Sequence, residues 1–199
     1  MRKTLVALMG MVMVMLSSTC AFAQFEWSFL MAQQPAAATV PAKSGWSGSD
    51  RLASSGVAYS SDYNAVKAAI KTPQQAAAYM EENFSYQQDF RNGSYGAVSP
   101  ATTNSGKWGD CKDFAVFMGD VLADDGIKVQ PITVKYGTSA GTYHVMSVTT
   151  YNGAAYLQSN QDLWQVGSND QILSIASKNL PNGASNLKYW DAGQTDFKP

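Results

Sequence analysis
The chain has 199 residues, 14 basic against 15 acidic, a formal net charge of −1 and 45% hydrophobic residues. That is material for one cored domain and too little for two comfortable ones, and the scattered Lys and Arg form no stripe able to follow a phosphate backbone, which argues against a nucleic-acid partner. Charged residues make up 15% of the chain, against about 25% in average globular proteins, and the Ser, Thr, Asn and Gln in their place suit an exported protein.

Residues 1–23 read as a secretory signal. Arg2 and Lys3 give a charged start, Leu5 to Leu16 an apolar run, and Ala21-Phe22-Ala23 small residues where a signal peptidase reads, with a cut before Gln24. The expected location is therefore periplasmic or extracellular. The apolar run is shorter than the ~20 residues a spanning helix needs, and no later stretch comes close, so no integral membrane segment is expected. Thr19 disfavours a lipid anchor on Cys20.

Residues 24–60 contain Pro35 to Pro41 and a Ser/Gly-rich stretch, the composition of a linker or docked segment. Phe25, Trp27, Phe29 and Met31 alternate at its start. Such a pattern suits an extended segment docked on the domain, a strand offered to a partner, or a pro-segment in a cleft. The domain itself is assigned to residues 61–199. A short helix is expected within Ser60 to Ile70, then a second capped by Thr72, with Pro73 at its first position and Gln75 closing a capping box. From Cys111, the residues Phe114, Phe117, Met118, Val121 and Leu122 recur at three and four positions, the stripe of a helix buried along one face, with Gly126 as its stop. Strands follow at Val129 to Tyr136, His144 to Tyr151 and Ala154 to about Asn160, the last two joined by Asn152-Gly153, a strong hairpin signal. Gln171 to Lys178 reads as a strand or short helix, and Tyr189-Trp190 as an anchor in an Asn/Gly-rich tail.

After residue 23 the chain holds one cysteine, Cys111, and one histidine, His144. A lone cysteine cannot form an intramolecular disulfide, and its place in the first turn of a helix is where unpaired N–H groups and the dipole favour a thiolate. The same N–H groups suit an oxyanion. Asp110 and Asp113 oppose thiolate formation, so a basic partner is required, and His144, opening a strand on the face of Met146 and Val148, supplies one. Acidic residues flank the cysteine, but Lys112 follows it directly and works against a hard cation. One Cys and one His also fall short of a four-ligand zinc site. Neither metal nor cofactor is expected.

Gly-Asp-Cys-Lys-Asp-Phe-Ala opening a helix, a strand starting at His144 and then a hairpin resemble the transglutaminase-like cysteine peptidase superfamily, over roughly Thr72 to Leu163. Tyr86 and Asp89 resemble its Tyr-x-x-Asp stretch. The resemblance implies an α+β, papain-like core in which the cysteine helix packs on an antiparallel sheet. It also implies a thiol mechanism in which Cys111 attacks an amide carbonyl of a peptide or protein, His144 passes the proton to the leaving amine, and water resolves the thioester. The family usually has an aspartate on the strand after the hairpin to orient the histidine, and this chain has none there. A gapless hairpin puts Ser159 on the face of His144; a one-residue bulge would bring Asn160 or Asp162 round. Asn160 is the favoured orienting residue, because an amide oxygen holds an imidazole N–H better than a hydroxyl. Amine transfer by the same residues, and a binding module with a degenerate triad, are the alternatives.

Overall fold
Local capping explains where the first helices begin. The structure, a computed structural model, describes residues 46–50, 52–88, 95–138 and 142–198; the signal segment, the Phe25 to Met31 alternation and Asp89 lie outside the described residues. Helix α1 (Tyr63–Ala69) starts at Asp62, whose carboxylate accepts from the N–H groups of Asn64 and Ala65. Helix α2 (Pro73–Asn83) starts at Thr72, which accepts from the Gln75 N–H at 3.0 Å. The Gln75 side chain reaches past the cap, accepting from the Lys71 N–H at 2.9 Å, so the expected capping box closes one residue further back.

The two-residue strand β1 (Ser85–Tyr86) leads to helix α3 (Pro100–Gly106), capped by Ser99 with Pro100 in its first turn. Strand β2 (Trp108–Gly109) pairs in parallel with β1 and delivers the chain to helix α4 (Cys111–Ala123). The helical stripe read from the sequence is the buried face of α4. Phe114, Phe117, Met118, Val121 and Leu122 form one cluster with Ala76, Tyr79 and Met80 of α2.

Strands β3 (Val129–Tyr136), β4 (Tyr143–Tyr151), β5 (Ala154–Ser159) and β6 (Asp162–Val166) follow, then helix α5 (Asn169–Asn179) and strand β7 (Ala184–Tyr189). They build a five-stranded antiparallel sheet in the order β6-β5-β4-β3-β7. The architecture is therefore α+β, with helices packed on an antiparallel sheet. Side chains alternate across each strand. Ile132, Val134, Met146, Val148 and Leu157 pack with Ile172 and Ala176 of α5, while Val145 packs with Ala115 of α4. The cysteine helix thus covers one face of the sheet and α5 the other. Residues 46–50 lie along β6, where the Asp50 N–H donates to the Leu163 carbonyl at 2.8 Å.

Candidate active site
Asp110 sets the start of α4 and with it the position of Cys111. Its carboxylate accepts from the N–H of Lys112 at 3.0 Å and of Asp113 at 3.4 Å, while the Asp113 carboxylate accepts from the Asp110 N–H at 3.0 Å and the Val98 N–H at 2.8 Å. This reciprocal capping box lies almost wholly out of solvent, and Lys112 turns back to form an ion pair with Asp110. Gly109 is required just before it: a Cβ there would lie 2.9 Å from the Asp113 Cβ and 3.0 Å from the Phe114 ring. Two of the first-turn N–H groups expected to receive an oxyanion are thereby taken by Asp110. The Cys111 N–H is the donor of that turn not engaged by the cap.

His144 enters from β4. Register along the β4–β5 hairpin runs without interruption from Tyr151↔Ala154 to Ser147↔Gln158, because Asn152 and Gly153 take the positive φ values, 50° and 78°, that a tight turn needs. With no bulge, Ser159 stays on the face of His144, and its Oγ lies 2.8 Å from the imidazole Nε2, both residues being buried. The hydrogen bond expected of Asn160 is thus made by Ser159. Asn160 occupies the β5–β6 turn at a φ of 52°, and its buried Oδ1 has no hydrogen-bond partner among the described residues. Asp162, the third candidate, accepts from the Trp46 N–H at 3.0 Å instead.

Cys111 and His144 line one cavity of about 240 Å³, together with Tyr86, Tyr95, Tyr136 and Tyr143. Because Val145 faces α4 and His144 the opposite side, the thiol meets β4 at the Val145 N–H and its own helix at the Lys112 N–H. The two side chains therefore share a cavity rather than a hydrogen bond. Burial pushes the Cys111 thiol up to about 11, assisted by the Asp110 charge and against the pull of those N–H groups. This reverses the expected lowering: the helix start favours a thiolate, but dehydration and a neighbouring carboxylate outweigh it. Burial also pulls His144 down to about 4, opposed by Asp110. At neutral pH the resting site holds a thiol and a neutral imidazole.

No family model matches this chain, nor does any curated protein. Four chains of solved structure match. One is LapG of Legionella pneumophila, at 18% identity and a TM-score of 0.37, covering 59% of this chain and 66% of that one. The chain thus spans just under two thirds of LapG, and so distant a likeness leaves function to this chain's own side chains.

Those side chains place a thiol and an imidazole held by Ser159 on one tyrosine-lined cavity. A larger cavity, about 510 Å³, lies between α4 from Ala115 onward and residues 192–195, and neither Cys111 nor His144 lines it. Among the described residues no group of three or more His, Cys, Asp or Glu side chains is placed to hold a metal ion. Nor is any described helix long and apolar enough to cross a membrane. Sequence reading missed Trp46, whose ring centroid lies 4.9 Å from that of His144, and Phe197, which lines the cavity from the C-terminal tail. The one available signal for Trp46 was its bulk in a Ser/Gly-rich stretch.

Proposed function
We propose that this chain is an exported thiol hydrolase that cleaves an amide bond, in a peptide or protein, with Cys111 as nucleophile and His144 as general base. The observation that carries the reading is the shared cavity: a helix-start cysteine and a histidine on β4 open on the same small space, and Ser159 holds one ring nitrogen. In the tautomer in which Nε2 donates to Ser159, the bare Nδ1 is the nitrogen left to take the thiol proton. Catalytic hydrogen bonds of unliganded enzymes are commonly long and close only on substrate. As the Sγ–C bond forms, the proton moves from Sγ to His144, and collapse of the tetrahedral intermediate returns it to the departing amine. Water then reverses these steps on the thioester.

A peptide substrate suits the surroundings. Among the described residues the exposed large hydrophobic side chains are Tyr86 and Tyr95, and both line this cavity. Lys112 and Asp110 are paired with each other, so the walls present rings and backbone in preference to an open charge. One feature favours the binding-module reading instead: a neutral hydroxyl stands where a carboxylate would stabilise an imidazolium, which lowers the attainable rate.

The readings separate in one incubation of a glutamine-containing protein with the enzyme and a labelled primary amine. Hydrolysis generates new amino termini without incorporated label. Incorporation of the label assigns amine transfer, and the absence of both products over a broad set of substrate proteins overturns the catalytic reading.

A further inference from the structure
Trp46 is held more firmly than a residue of a linker needs to be. Its N–H donates to the Asp162 Oδ2 at 3.0 Å, and Ser49 hydrogen-bonds to the same carboxylate. The Asp50 N–H donates to the Leu163 carbonyl at 2.8 Å, and the Asp50 carboxylate accepts from the Gln165 N–H at 2.8 Å. Residues 46–50 therefore form a strap along β6, the edge strand of the sheet, and occupy backbone groups that an edge otherwise leaves open. The strap sets the indole against two rings: His144, centroid to centroid 4.9 Å and inclined by 32°, and Trp164, at 5.9 Å.

We propose that Trp46 is a positioning residue for His144: the strap anchored on Asp162 seats the indole against the imidazole, fixes the ring on Ser159 and keeps water from that hydrogen bond. This rests on the reading of His144 as the base. Asp162 then acts one step removed from the imidazole, by holding the strap. Asp110, with its partner Lys112 on α4, acts on His144 through its charge, Ser159 on β5 bonds to the ring and Trp46 on the strap lies against it, while Cys111 lines the same cavity from α4. Tyr86, Tyr95, Tyr136 and Tyr143 stand around the cavity. A tryptophan face also attracts an imidazolium, which would raise the imidazole's pKa. It is instead lowered, with burial as the leading cause, so dehydration prevails here.

The test exploits the chain's single histidine. Prepared without a histidine tag, the protein gives one imidazole signal, and its NMR titration reports His144 without any need for a substrate. The wild type should titrate near pH 4. Trp46→Ala should move the midpoint up by about two pH units, towards the ordinary value near 6.5, while Trp46→Phe, which keeps a ring, should stay near the wild type. If Trp46→Ala does not fold, Asp162→Ala, which releases the strap, should raise the midpoint, and Asp162→Asn, which keeps an acceptor for the Trp46 N–H, should not. An unmoved midpoint in folded Trp46→Ala, or in Asp162→Ala, overturns the proposal even where activity falls, since a merely structural strap would leave the imidazole as it was. If the midpoint moves but His144→Ala cleaves as fast as the wild type, the positioning stands and the catalytic reading fails.

Discussion

Replacing His144 by alanine should lower the rate of amide cleavage by about 10²–10⁴-fold, the usual contribution of a positioned acid or base, with little change in KM. The loss is expected to fall on kcat because His144 is buried and tied to Ser159, which in the proposed mechanism suits it to proton transfer more than to substrate contact. Its pH dependence follows from the same burial. The base works only when neutral, and the imidazole is neutral above its pKa, here about 4. Activity should therefore persist well below pH 6.5 and disappear as pH falls through about 4. An ordinary free imidazole would already have lost half its basic form near 6.5. In the proposed mechanism Cys111 and His144 act as a unit, so the double alanine variant should be no slower than Cys111→Ala alone. A steady-state pH profile decides the matter: an acid limb near 6.5, or a His144→Ala variant as fast as the wild type, would be incompatible with this role.

Phe117→Ala should cost about 3–5 kcal/mol of folding stability, the range for emptying a buried aromatic site. Phe117 is fully buried on α4, with ring centroids 6.1 Å from Tyr79 in a stack, 5.0 Å from Phe84 edge-on and 5.9 Å from Tyr63. Its neighbours come from α1, α2 and the turn after α2, so truncation leaves a cavity where several elements meet and cannot all move inward together. Against a typical total stability of about 5–15 kcal/mol, this threatens the fold itself and loosens the helix that positions Cys111. Urea unfolding of both proteins measures it, and a loss under about 1 kcal/mol would mean that α4 is not packed as described.

How much of this could be read in the sequence depends on which interactions set each feature. Helix α4 and strands β3 to β5 are encoded locally, by the three-and-four spacing from Phe114 to Leu122 and by Asn152-Gly153, whose backbone takes the left-handed conformations of a tight turn. Strand β7, rich in Asn, Ser and Lys, exists because β3 has an edge to pair with, a tertiary fact without local pattern. Strand β6 contributes Leu163 to one cluster and Trp164 to the other, so it lacks the apolar–polar alternation of a half-buried strand. Side-chain chemistry favours Asn160, but its place in the β5–β6 turn removes it from His144 and leaves the weaker group, Ser159, in contact. The upward shift of the thiol has a similar cause. A helix start is visible in sequence; the burial that overrides it is not. Trp46 was invisible as a site residue because what holds it, Asp162, lies more than a hundred positions along the chain.

The most direct measurement is the appearance of new amino termini in a broad peptide pool, by mass spectrometry, with wild type and with Cys111→Ala shown to be folded by circular dichroism. Cleavage by the wild type that vanishes in Cys111→Ala is the predicted result and identifies the thiol as the nucleophile. Equal cleavage by both proteins, or none by the wild type between pH 5 and 9, would contradict the account.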